Sequence, residues 1–134
     1  MLEPLLDKVD ILFCSRLDGI KVFGMEGTGP EINAELRKRY DLRHVVTTDS
    51  TDGVYYSGEE GELVASVQPV PVTDRPGAGD SFVAGTLHGY LDGSVRRGIQ
   101  HGQQCSKFAL THHGDLTRIS TAELEIPTSS DILR

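Results

Sequence analysis

Short apolar segments alternate along this chain with segments that have a helical period. That alternation restricts the fold to a layered α/β domain. Residues 9–14 (V-D-I-L-F-C) form a mostly apolar run that closes on Ser15, the pattern of a buried strand. Residues 24–30 (G-M-E-G-T-G-P) are a glycine-rich loop, and Pro30 is suited to open the next helix. Over residues 31–40, Ile32 and Leu36 at i, i+4 oppose Arg37, Lys38 and Arg39, which predicts a helix with one buried stripe. A second strand is expected over residues 43–48. A hairpin is expected from residues 53–57 and 62–67 around Gly58-Glu59-Glu60-Gly61.

Residues 70–73 read as a further short strand, followed by D-R-P-G-A-G-D at 74–80. From Gly79 onward Phe82, Val83, Leu87, Tyr90 and Leu91 recur at helical spacing, and Ala84, Gly85 and Gly89 make a small-residue face suited to close packing. Another helix is expected over residues 94–111, with Val95, Ile99, Phe108 and Leu110 inward. Ser120 and Glu123 have capping-box spacing before a brief last helix. At the other end, residues 1–6 read as the close of a helix that feeds the first strand, with no strand ahead of it.

The 134 residues suffice for one compact domain. Against 13 Lys and Arg stand 20 Asp and Glu, a formal charge of −7, so a polyanion such as DNA meets net repulsion. An apolar content of 37% with 15 glycines is that of an ordinary globular domain, which argues against disorder throughout. No apolar run is long enough for a membrane span or a signal peptide. Cys14 and Cys105 lack a CxxC spacing and are expected to be reduced thiols in a cytoplasmic protein.

The segment that carries chemistry is the strand–turn–helix at residues 73–87, T-D-R-P-G-A-G-D-S-F-V-A-G-T-L. Gly77 and Gly79 permit tight backbone geometry and Ala78 adds little bulk. The amides of Gly77, Ala78, Gly79 and Asp80 would lie at a helix start, where unpaired N–H groups and the helix dipole favour an anion. The Asp80 carboxylate at the same point is placed to take a proton from an attacking hydroxyl. Donors and a base in one turn suit phosphoryl transfer. Taken alone, G-x-G-D is equally the pattern of a glycine-rich connector capped by an aspartate.

The wider string, D-x-x-G-A-G-D-S-F-x-A-G, closely resembles the second signature of the ribokinase-like (PfkB) carbohydrate kinases. The resemblance implies a three-layer α/β/α fold, with Asp80 as the base that activates a sugar hydroxyl. It makes the backbone of Gly77, Ala78 and Gly79 an anion hole for the transferred phosphate. Val45-Val46-Thr47-Thr48, followed by Gly53-Val54-Tyr55-Tyr56, resembles the family's nucleotide-side strand and its G-x-x-G turn. Ser50 stands where the first glycine is usual. Thr48, Ser50, Gly53 and Gln103 are accordingly the expected nucleotide-binding residues. Residues 9–24 resemble the family's strand and N-x-x-E helix start, with Ser15 and Asp18 in place of Asn and Glu. Asp18 is the better candidate for magnesium.

D-R-x-G-A-G-D with a late H-x-G-D tail (His112, His113, Gly114, Asp115, then Ser120, Glu123 and Glu125) is most similar to the 2-keto-3-deoxygluconate kinases. Arg75 reads either as an ion pair with a nearby carboxylate or as a contact to phosphate or an acidic substrate. The resemblance spans nearly all of the chain but only about the C-terminal half of the family's length. The N-terminal sugar-binding half is therefore expected to be absent from residues 1–134. ATP, Mg²⁺ and a sugar or sugar acid are the implied ligands, with neither nucleic acid nor membrane among the partners and a homo-oligomer left open. Two functions follow: an ATP-dependent sugar kinase, or a nucleotide-binding module without catalysis of its own.

Other chemistries find no support. There is no G-x-x-x-x-G-K-[ST] loop, and no G-x-S-x-G elbow surrounds Ser81. His44, His88, His101, His112 and His113 are scattered without metal-ligand spacing. Glu59, Glu60 and Glu62 read as a solvated hairpin tip.

Overall fold

The computed structural model describes residues 3–67 and 78–111, and the chain divides into two compact units, Met1–Val67 and Gln68–Arg134. In the first, a 3-10 helix (Glu3–Lys8) precedes β1 (Ile11–Ser15), α1 (Arg16–Lys21), α2 (Gly29–Tyr40), β2 (His44–Thr48), β3 (Val54–Gly58) and β4 (Gly61–Ala65). The sheet order is β1-β2-β3-β4, with β1 parallel to β2 and the remaining pairs antiparallel. A parallel pair needs a crossover, which α1 and α2 supply. The hairpin turn is tighter than expected. Gly58 pairs with Gly61, so Glu59 and Glu60 alone form the loop, and Gly61 takes a positive φ of 101°.

Helix α2 begins two residues before the expected start because Thr28 caps it. The Glu31 amide donates to the Thr28 hydroxyl (3.4 Å) while the Glu31 carboxylate accepts from the Thr28 amide (2.9 Å). Its apolar stripe, Ile32 and Leu36, packs with Leu6, Cys14, Met25, Leu42 and Val45 into the core. Between them sits a buried amide that the apolar periodicity does not announce. Asn33 donates from Nδ2 to the Val45 carbonyl (3.1 Å), the Tyr55 carbonyl (3.1 Å) and the Thr47 hydroxyl (2.9 Å), tying α2 to two strands at once. Asn33→Leu keeps the volume and removes the donor, so unfolding free energy should fall by about 1–3 kcal/mol, read from the urea midpoint.

Adjacent residues of β2 point to opposite faces, yet Val45 and Val46 are both fully buried. On the face away from α2, the Tyr56 hydroxyl accepts from the Glu60 amide (3.2 Å) and lies 2.8 Å from His44 Nδ1. The Tyr56 hydroxyl thus joins the His44 ring to the backbone of the hairpin loop. Burial lowers the His44 pKa, outweighing the pull of Glu59 and Glu60 in the other direction. The folded chain thus takes up this proton less readily than the unfolded one. Stability should be full above pH ~6.5 and decline as pH falls toward the lowered value. Melting temperatures measured from pH 7 to pH 5 should show that decline, and His44→Gln should flatten it.

The described residues of the second unit form two helices, α3 (Ala78–Leu91) and α4 (Val95–Thr111), joined by a turn in which Gly93 has a φ of 108°. Ser94 caps α4 by accepting from the Arg97 amide at 3.1 Å. The helices run antiparallel and approach backbone to backbone. A Cβ on Gly85 would lie 2.6 Å from Gly102 Cα, and one on Gly102 would lie 2.5 Å from the Phe82 carbonyl. Phe82, Gly85, Thr86 and Gly89 form the buried face of α3, while Ala84, Leu87 and Leu91 are exposed. Of the expected small-residue face Gly85 and Gly89 pack and Ala84 does not, because the close helix contact falls on the two glycines. Among the described residues no helix is long and apolar enough to cross a membrane. The strand expected at residues 70–73, together with Arg75, Gly77, and the tail at 112–125, lies outside the described residues.

Candidate active site

Ala78, Gly79 and Asp80 make the first turn of α3, and both Gly79 and Asp80 are exposed. An α-helix leaves the amides of its first turn without intrahelical partners, and its dipole makes that end an attractive place for negative charge. A Cβ built on Gly79 meets nothing within 4 Å, and its φ is outside the left-handed region. Among the described residues, neither packing nor backbone conformation therefore requires glycine at this position.

In the first unit, Thr48 ends β2 opposite Val54, and the chain turns through residues 49–53. The Asp49 amide donates to the Gly53 carbonyl (2.9 Å) and the Asp52 amide to the Asp49 carbonyl (2.8 Å). Ser50 has a φ of 50°, the left-handed conformation that glycine adopts at least cost. This gives a physical reason why glycine suits that position of the turn. Ser50→Gly should raise stability by about 0.5–1 kcal/mol, measured by thermal melting. Gly53, with a φ of 155°, is crowded as well. A Cβ there would lie 3.1 Å from the Tyr55 hydroxyl and 3.2 Å from the Ala65 carbonyl. Thr48, Ser50 and Gly53 are thus gathered on one turn, while Gln103 is half-buried on α4 of the other unit, next to buried Gln104.

The Ser15–Asp18 stretch forms the predicted helix start. The Ser15 hydroxyl caps α1 by accepting from the Asp18 amide at 3.0 Å. The Asp18 side chain remains exposed. Burial, reinforced by the Asp18 charge, pushes the neighbouring Cys14 thiol up to about 11, so it is a poor nucleophile. Burial likewise raises Cys105. Among the described residues no group of three or more His, Cys, Asp or Glu could hold a metal ion. Mg²⁺ does not demand such a cage, since it keeps several waters and takes one or two carboxylates with phosphate oxygens. A single open carboxylate such as Asp18 fits that requirement. Arg16, between Ser15 and Asp18, is a residue that the motif comparison passes over. Its Nε donates to the Gly27 carbonyl at 3.1 Å.

Comparison with known proteins matches residues 1–122 to the pfkB family carbohydrate kinase model. An ATP-dependent 6-phosphofructokinase of Thermoanaerobacterium thermosaccharolyticum is 31% identical over 126 residues, covering 90% of this chain and 38% of the relative. A cytidine kinase of Thermococcus kodakarensis is 27% identical over 114 residues, 80% of this chain and 40% of the relative. Among solved structures, 2-dehydro-3-deoxygluconokinase of Thermotoga maritima superposes with a TM-score of 0.78 at 24% identity, over 91% of this chain and 42% of that one. The chain therefore spans about two fifths of the length of these relatives, and its fold is the ribokinase-like α/β fold. With the family model matching residues 1–122, this chain belongs to the pfkB family of carbohydrate kinases.

Proposed function

We propose that the chain serves ATP-dependent transfer of a γ-phosphate to a hydroxyl of a sugar or sugar acid. The observation that carries this reading is the exposed Asp80 carboxylate in the first turn of α3, beside a Gly79 that has open space around it. In this reading Asp80 takes the proton from the attacking hydroxyl, and the amides of Gly77, Ala78 and Gly79 receive the phosphate. Thr48, Ser50, Gly53 and Gln103 hold the nucleotide. Asp18 would take part in holding Mg²⁺, which supplies charge neutralisation on the nucleotide oxygens. A 2-keto-3-deoxygluconate-like acid is the favoured acceptor, on the strength of the D-R-x-G-A-G-D string and the H-x-G-D tail. The relatives named above act on different acceptors, so the acceptor is the finer part of the proposal. A cytoplasmic setting, where thiols stay reduced, belongs to the same reading.

The second reading is a nucleotide-binding module without turnover of its own. Calorimetric titration with ATP-Mg and a coupled assay of ADP release with sugar acids test both. Sugar-dependent ADP formation supports the kinase, binding without turnover supports the module, and failure to bind any nucleotide overturns both.

A further inference from the structure

We propose that Arg16 is a phosphate-contacting residue on the β1–β2 side of the nucleotide site, an assignment that rests on the nucleotide reading above. Arg16 directly follows β1, at the carboxyl end of the parallel β1–β2 pair. Ligands of open α/β sheets bind outside that end of the strands. Its side chain is half-buried and anchored, with Nε donating to the Gly27 carbonyl at 3.1 Å. That bond orients the guanidinium through one of its five N–H groups and leaves the forked pair, Nη1 and Nη2, with no partner among the described residues. Its charge reaches the Tyr55 hydroxyl, as do the charges of Asp49 and Asp52. The same hydroxyl is the atom that crowds Gly53 and donates to the Asp52 carbonyl at 3.5 Å. Arg16 therefore sits at the end of the sheet that carries the residue 49–53 turn.

Among the described residues Arg16 forms no ion pair. Arg43 and Arg39, by contrast, are each paired with a carboxylate. A tethered guanidinium with a free, planar double donor is the group that best matches a phosphate, with two parallel N–H···O bonds. A lysine in its place would supply charge without the fork.

The test is calorimetric titration of the chain and its Arg16→Gln and Arg16→Lys variants with ATP, ADP and adenosine. Thermal melting of each variant serves as the check on folding. Arg16→Gln should weaken ATP and ADP about ten- to a hundredfold, the range of a lost charge-assisted hydrogen bond, and leave adenosine within about twofold. Arg16→Lys should fall between the two and keep the salt dependence of ATP binding that Arg16→Gln diminishes. Equal weakening of adenosine and ATP, or no change in either, overturns the assignment, because a purely structural tether to Gly27 would not discriminate the phosphates. If the parent chain binds no nucleotide, the functional reading fails separately, and inorganic tripolyphosphate becomes the probe. Binding by the parent that Arg16→Gln abolishes then upholds an anion contact at Arg16; no binding, or no difference, overturns it.

Discussion

Asp80→Asn should lower turnover by at least ~10²-fold in any preparation that shows sugar-dependent ADP release, while ATP affinity changes little. Asparagine keeps the size and most of the hydrogen-bonding of the side chain and removes only the ability to accept a proton. A base acts in the transition state, so its loss falls on kcat rather than on binding. The variant should fold normally, because Asp80 is exposed and its charge is no part of any buried network in the described residues. Steady-state kinetics with ADP detection give the answer. Turnover within a few-fold of the parent would remove Asp80 from the mechanism and return the turn to its alternative reading as a capped connector.

Gly98→Ala carries the largest expected effect on stability. A Cβ at this position runs into the Thr86 carbonyl oxygen, with Thr86 Cα only 3.2 Å away, so the obstacle is backbone and not the end of a side chain that could swing aside. To admit one methyl group α3 and α4 must move apart along their length, which opens the contacts at Gly85, Gly89 and Gly102 together. Overpacking of this kind costs about 1–3 kcal/mol, occasionally more. The helix preference of alanine over glycine returns only about 1 kcal/mol. Because the obstacle is backbone, the cost lies at or above the top of that range, and a net loss of about 2 kcal/mol or more is expected in denaturant unfolding. Gly79→Ala is the informative control. With nothing among the described residues within 4 Å of the added Cβ, that substitution should leave stability unchanged or slightly raised, so any loss of ATP binding or turnover would report crowding of a ligand.

Much of this was readable before any coordinates. The β1 and β2 strands, α2, the hairpin and the α3–α4 pair all arise where apolar periodicity and turn residues place them, within a residue or two at their ends. Element ends shifted where a cap decided them. Thr28 with Glu31 drew α2 back to Gly29, and Ser94 moved the start of α4 to Val95. The G-A-G-D-S-F string pointed to the family because local backbone chemistry and a proton acceptor are both encoded within a few adjacent residues.

Tertiary structure decided what depends on residues far apart in the chain. Asn33 reads as a polar interruption of an amphipathic stripe until three acceptors from β2 and β3 converge on it. His44 reads as one of five scattered histidines until strand pairing sets it against Tyr56 and burial makes it resist a proton. Leu87 and Leu91 carry the helical period of a core face, yet glycines bring the two backbones so close that the packed side of α3 is the small one. Arg16 looks like filler between Ser15 and Asp18 until the Gly27 carbonyl holds its inner nitrogen. Periodicity and local motifs are properties of neighbouring residues, so the elements and the family were legible in the order of residues alone. Partners, burial and close approach are properties of the assembled fold, and only three dimensions could supply them.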